Sequence, residues 1–180
     1  MRRLLAPIAF GALLAAAPSM AALPVGAKAP PFTTRGAIAG TVIKVDLKEQ
    51  LRRGPVVLFF FPAAFTGGCN AQANGFSQAV GDFRAAGATV IGMSADDVGT
   101  LQRFSTEKCA GKFAVASAGP ALVKKYDVAL GRAVQGRAVT NRTSYVIDRT
   151  GKIAFVHADL NPAEHVATTL AAVKRLSPAR

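Results

Sequence analysis

Val56 to Phe61 is an unbroken apolar run, Val-Val-Leu-Phe-Phe-Phe, bounded by Gly54-Pro55 before it and Pro62 after it. A strand without polar alternation is covered on both faces, so the run predicts a fully buried central strand. Thr89-Val90-Ile91-Gly92-Met93 repeats the pattern. Between the two, Cys69, Ala73, Phe76, Val80 and Phe83 recur at the spacing of one helical face, so the Cys69 side chain is expected to look toward the core. Strand, helix and strand of these lengths make a parallel crossover unit.

Further along, Asp97 to about Lys108 reads as a second helix with Val98, Leu101 and Phe104 as its apolar stripe. Ser144-Tyr145-Val146-Ile147-Asp148 and Lys152-Ile153-Ala154-Phe155-Val156 flank Arg149-Thr150-Gly151, a hairpin pattern. Asn161 with Glu164 three residues on has the form of a capping box, ahead of Val166, Leu170 and Val173 on one face of a terminal helix. On that helix His165 is expected to face solvent. A parallel crossover, then an antiparallel hairpin and a last helix, predicts a thioredoxin-like α/β fold whose central mixed β-sheet is flanked by helices.

The first residues add a destination. Met1-Arg2-Arg3 precedes a mostly apolar stretch from Leu4 to Ala17 and then Pro18-Ser19-Met20-Ala21. The apolar part is shorter than the roughly 20 residues of a membrane span, and Pro7 and Gly11 interrupt it. Small residues at Ser19 and Ala21 complete a secretory signal, residues 1–21, cleaved after Ala21. The expectation is an exported, periplasmic protein with no stable membrane insertion and one domain over residues 22–180. No internal repeat or linker divides it, and Ala22 to Thr34 reads as an arm leading into the fold.

Formal net charge is +12. The basic residues fall in scattered pairs (Arg52-Arg53, Lys124-Lys125, Lys174-Arg175) without the interleaved aromatics of a nucleic-acid groove, so no nucleic-acid partner is expected. The two histidines, His157 and His165, supply no metal cluster, and no cofactor is implied. Asp96-Asp97 reads as a strand end and a helix cap. The chain has two cysteines, Cys69 and Cys109, which in an oxidising compartment could form a structural disulfide.

The setting of Cys69 argues for more. It ends the segment Pro62-Ala63-Ala64-Phe65-Thr66-Gly67-Gly68-Cys69 and so sits in the first turn of a helix, where free backbone N–H groups and the helix dipole favour a thiolate. Pro-x-x-x-Thr-x-x-Cys at a strand-to-helix junction resembles the active-site signature of the peroxiredoxins. The resemblance continues through Val25-Gly26-Ala27-Lys28-Ala29-Pro30-Pro31-Phe32, Gly87 to Ser94, and Arg142-Thr143-Ser144-Tyr145-Val146-Ile147-Asp148. It is nearest the bacterioferritin-comigratory-protein, or Q-type, subgroup.

The resemblance implies a thiol-dependent peroxidase acting on hydrogen peroxide or organic hydroperoxides. Cys69 would be the nucleophile passing through a sulfenic acid, Arg142 the cation beside it that also orients the peroxide, Thr66 a hydroxyl for the peroxide oxygen, and Pro62 a shield against water. Thr66 also suits a helix N-cap. Phe61 stands where the family usually has tyrosine, and Gln72 where it often has glutamate. Many Q-type members carry a resolving cysteine at the place of Asn74, so a resolving thiol within this chain must be Cys109; its alternative role is packing. The implied partners are a peroxide and a thioredoxin-like or other dithiol reductant, with the chain a monomer or homodimer. Asn141-Arg142-Thr143 fits a glycosylation sequon, but a glycan there would cover the arginine.

Other functions fit less well. A thiol-disulfide oxidoreductase or electron carrier of thioredoxin type uses Cys-x-x-Cys, and here Thr66 holds the earlier place. A glutathione-peroxidase relative would bring a tryptophan, of which the chain has none. A binding module with a vestigial cysteine leaves the joint presence of Pro62, Thr66, Cys69 and Arg142 without a reason.

Overall fold

A computed structural model describes residues 22–134 and 136–176. The proposed signal segment lies outside the described residues. The elements run β1 (Thr33–Ile38), β2 (Thr41–Asp46), α1 (Leu47–Arg53), β3 (Val56–Phe60), α2 (Gly67–Ala85), β4 (Thr89–Ser94), α3 (Val98–Glu107), β5 (Ala114–Ser117), α4 (Pro120–Lys125), β6 (Ala129–Val134), β7 (Arg137–Thr140), β8 (Thr143–Ile147), β9 (Ile153–Ala158) and α5 (His165–Leu176).

Seven strands form one mixed sheet in the order β2-β1-β5-β4-β3-β8-β9, and β6 and β7 form a separate hairpin. β3 pairs parallel with β4 and antiparallel with β8, so the apolar run is central, as its composition predicts. Its side chains alternate between two cores. Val57, Phe59 and Phe61 point into one that holds residues of α2, α3 and α5, with Phe59 stacked on Phe76 at 4.2 Å. Val56, Leu58 and Phe60 point into the other, with Leu47, Tyr126 and Tyr145. Each fully buried side chain of this size contributes about 1.5–3 kcal/mol. The sheet is therefore a rigid floor for the segments at the end of β3.

The β8–β9 hairpin turns where expected: Asp148 Oδ1 accepts the N–H groups of Thr150 and Lys152, and Gly151 takes φ 83°. Asp97 caps α3 by accepting the Thr100 N–H at 2.9 Å. No helix among the described residues is long and apolar enough to cross a membrane.

Two expectations at the terminal helix are corrected. Asn161 does not cap it: α5 begins at His165, and Asn161 Oδ1 instead accepts from Ala163 two residues on, which closes a local turn. His165 does not face solvent. It is fully buried with Thr169, Ala172 and Val173, whose spacing puts all four on the inner face.

Candidate active site

The site grows from the end of β3. Pro62 follows the sheet, half-buried, and Thr140 Oγ1 donates to the Phe61 carbonyl beside it. The chain then reverses at Phe65, whose φ of 64° is unusual for a bulky residue; its ring packs edge-on to Phe104 at 5.3 Å. Asp96, buried at the end of β4, fixes this loop. Its Oδ2 accepts the Ala64 N–H at 2.7 Å and the Ser94 hydroxyl at 2.8 Å, and its Oδ1 accepts from Arg137 on β7 at 3.2 Å.

Thr66 is the N-cap residue of α2 by backbone conformation, but its side chain does not cap. The hydroxyl donates to the Ala63 carbonyl at 2.9 Å, which commits its proton and leaves the oxygen's lone pairs to accept from a substrate O–H. Cys69 is the third residue of the helix and 2% exposed, on the inner face as its spacing predicts. First-turn N–H groups lack an i−4 carbonyl, so the positive end of α2 surrounds it.

Arg142 comes from the start of β8, 73 residues away, and its Nη2 lies 3.6 Å from the Cys69 sulfur. The guanidinium is itself buried, with Nη1 donating to Gln72 Oε1 and Nε donating to the Leu160 carbonyl at 2.7 Å. Both of these acceptors are uncharged. They aim the cation without neutralising it, so its charge is left for a thiolate. Gly68 makes room for it: a Cβ there would stand 3.1 Å from Arg142 Nη2.

Cys69, Thr66 and Arg142 thus converge at the start of α2, with Pro62 in the same loop. Cys109 does not join them. It is fully buried just beyond α3, and desolvation pushes its thiol up to about 12. The Cys109 carbonyl accepts from Ser77 Oγ at 3.1 Å, eight residues along α2 from Cys69, which is an axial step of about 12 Å. Both cysteines are free thiols. Among the described residues no group of three metal-ligating side chains is found. Sequence reasoning took Asp96 only for a strand end and gave Gly68 and the Leu160 carbonyl no role at the site, because none of them belongs to an apolar period; the Gly67-Gly68 pair beside the cysteine is the one visible hint.

The AhpC/TSA family profile matches residues 25–156, which includes Pro62, Thr66, Cys69, Gln72, Asp96 and Arg142. Peroxiredoxin Q, chloroplastic, of Oryza sativa subsp. japonica is 30% identical over 152 residues, 84% of this chain and 67% of that protein. The crystal structure of peroxidoxin BcpB from Mycobacterium tuberculosis superposes with a TM-score of 0.74 at 28% identity, over 84% of this chain and 97% of that one. The Xanthomonas campestris bacterioferritin comigratory protein, studied for its alkyl peroxide reduction activity, shares the fold with a TM-score of 0.69 at 23% identity, over 81% and 91% of the two chains. With the match spanning most of the domain, this chain belongs to the AhpC/TSA family, the peroxiredoxins, and is a thiol-dependent peroxidase.

Proposed function

We propose that this is an exported peroxiredoxin of the Q type that reduces hydrogen peroxide or an organic hydroperoxide at Cys69. The observation that carries the reading is the buried Arg142 guanidinium 3.6 Å from the Cys69 sulfur at the start of a helix. The thiolate attacks one peroxide oxygen, the O–O bond breaks, and the other oxygen leaves as water or an alcohol after taking up a proton. Cys69 is oxidised to the sulfenic acid and the peroxide is reduced. Arg142 stabilises the thiolate and the charge that develops on the leaving oxygen, and the Thr66 oxygen accepts from the peroxide O–H. Pro62 keeps water from the pocket.

The sulfenic acid then condenses with a thiol, releasing water and forming a disulfide, and a second thiol of a thioredoxin-like reductant returns Cys69 to its starting state. We assign the first of these thiols to the external reductant. Disulfides need Cα atoms within about 7 Å, and Cys109 is anchored alongside Ser77, so direct pairing requires the first turns of α2 to unwind. A second reading keeps Cys109 as the resolving thiol, because it shares one apolar cluster with Cys69 and because Gly67 and Gly68 weaken the first turn. Export through cleavage after Ala21 rests on the pattern of residues 1–21.

Mass spectrometry after one equivalent of hydrogen peroxide decides the route. A species heavier by one oxygen at Cys69 is expected. A species lighter by two hydrogens with a Cys69–Cys109 peptide would give the internal route, and no change at Cys69 would end the peroxidase assignment of this residue.

A further inference from the structure

Arg142 is held by more than its own side chain. The Asp159-Leu160 turn grips it twice, with the Asp159 N–H donating to the Arg142 carbonyl at 3.2 Å and the Leu160 carbonyl accepting from Arg142 Nε at 2.7 Å. That turn is exposed, Leu160 to 41%, and surface turns are poor fixtures for a reacting group. A buried side chain ties it down. His165 Nε2, in the first residue of α5, lies 2.8 Å from the Asp159 carbonyl, and its Nδ1 lies 2.8 Å from Ser144 Oγ on β8, two residues along from Arg142.

The chemistry of the partners fixes the proton. A carbonyl only accepts, so Nε2 carries the hydrogen, and in the neutral ring Nδ1 accepts from the Ser144 hydroxyl. Burial holds the His165 pKa down to about 4; the Asp159 carbonyl opposes this, while His157 and Arg142 push the same way. At neutral pH the ring is therefore uncharged and in this tautomer. The groups facing it are Ser144 on β8, the Asp159 turn, and His157 on β9, whose ring meets it edge-on at 4.5 Å. Arg142 to Leu160, Asp159 to His165, His165 to Ser144, and Ser144 back along β8 to Arg142 make a closed circuit.

We propose that His165 is a positioning residue for the peroxidase reaction, clamping the Asp159-Leu160 turn so that the Arg142 guanidinium stays at the Cys69 sulfur. It touches neither the thiol nor the peroxide and acts through the Leu160 carbonyl. The inference rests on Arg142 acting upon Cys69, and it names the residue that fixes that contact.

Three variants test it. His165→Met has apolar bulk and no N–H; His165→Gln restores a donor toward the Asp159 carbonyl; Ser144→Ala removes the hydroxyl that orients the ring. The readouts are the rate of Cys69 oxidation by hydrogen peroxide, the pH midpoint of Cys69 alkylation, and thermal stability, with Arg142→Ala as the reference. Methionine should slow oxidation about tenfold and move the midpoint up, since a small misplacement of a reacting group is costly in rate. Glutamine should recover most of both, and Ser144→Ala should move both in the methionine direction by less. A methionine variant that melts earlier but keeps the rate and midpoint would reduce His165 to packing and overturn the proposal. Equal losses for glutamine and methionine would overturn it too. Should the methionine variant not fold, an unchanged rate and midpoint in Ser144→Ala would do the same. If Arg142→Ala itself has no effect, the reading of Arg142 fails; if only the His165 and Ser144 variants are silent, this inference alone fails.

Discussion

The two cysteines share a core cluster and are both nearly sealed, at 2% and 0% exposure, yet their electrostatic surroundings differ. Around Cys109 the one influence is loss of water, and the thiol is pushed up to about 12, so in the folded protein it is neutral at any ordinary pH. Around Cys69 the same dryness comes with a guanidinium at 3.6 Å and the open end of a 19-residue helix. Burial therefore does not distinguish a reactive thiol from a silent one. What distinguishes them is whether a fixed positive potential is buried with it, since low dielectric amplifies whatever charge is present.

The strongest test of the contrast is exchange of each sulfur. Cys69→Ser should bring peroxide turnover to background, while Cys109→Ala should leave the first oxidation of Cys69 within about twofold of wild type, because it touches nothing that stabilises the reacting groups. Peroxide consumption and stopped-flow oxidation measure the two. Comparable losses in both would erase the distinction.

Removing the cation comes next. Arg142→Ala should slow oxidation on the order of a hundredfold, the scale of a lost electrostatic group, and should raise the pH needed for Cys69 alkylation. Arg142→Lys should recover little, because a point ammonium cannot serve Gln72, Leu160 and the sulfur together. Full recovery with lysine would mean that charge alone suffices.

Gly68→Ala displaces the cation without deleting it. The new Cβ would stand 3.1 Å from Nη2, tighter than ordinary contact, so the guanidinium must yield by a few tenths of an ångström. A severalfold slower oxidation is expected, of the size that a small misplacement brings. Alanine favours helix by up to about 1 kcal/mol over glycine, so the melting temperature should hold or rise as the rate falls. An unchanged rate would show that the contact tolerates displacement.

The smallest effect belongs to Cys109. Its folded-state pKa of about 12 exceeds the ordinary thiol value, so above about pH 9 the unfolded chain sheds a proton that the folded chain keeps. Stability contributed by the neutral thiol is complete below that pH and declines as pH rises, by at most about 1.4 kcal/mol per unit. Denaturation of wild type and Cys109→Ala at pH 8 and pH 10 should show the steeper loss in wild type. Parallel curves would place Cys109 in a wetter setting.

Much of this was legible because apolar faces have a period. The run Val56 to Phe61, the inward face of α2 and the β8–β9 hairpin could be read directly, and with them the direction of Cys69. The motif and the Arg142 segment pointed to two groups that the structure brings together, though 73 residues separate them. His165 was misread because a polar side chain was assigned outward, even though its spacing with Thr169 and Ala172 already placed it inside. Asn161 was misread because the same residue types serve a local turn as readily as a cap. Asp96 and Arg137, whose contact joins β4 to the β6–β7 hairpin, carry no period at all. Polar contacts between distant elements have no signature in one chain.

The circuit through Arg142 also sets a clock on synthesis. Ribosomes release the chain from the N-terminus, so the helix bearing Cys69 emerges well before β8, and the anchor at His165 emerges last of all. Until α5 docks on α2 and the sheet, the Leu160 anchor of the guanidinium lacks its clamp, and only the Gln72 contact is left to hold it. On the reading proposed above, the site is therefore complete only when the last helix closes the fold.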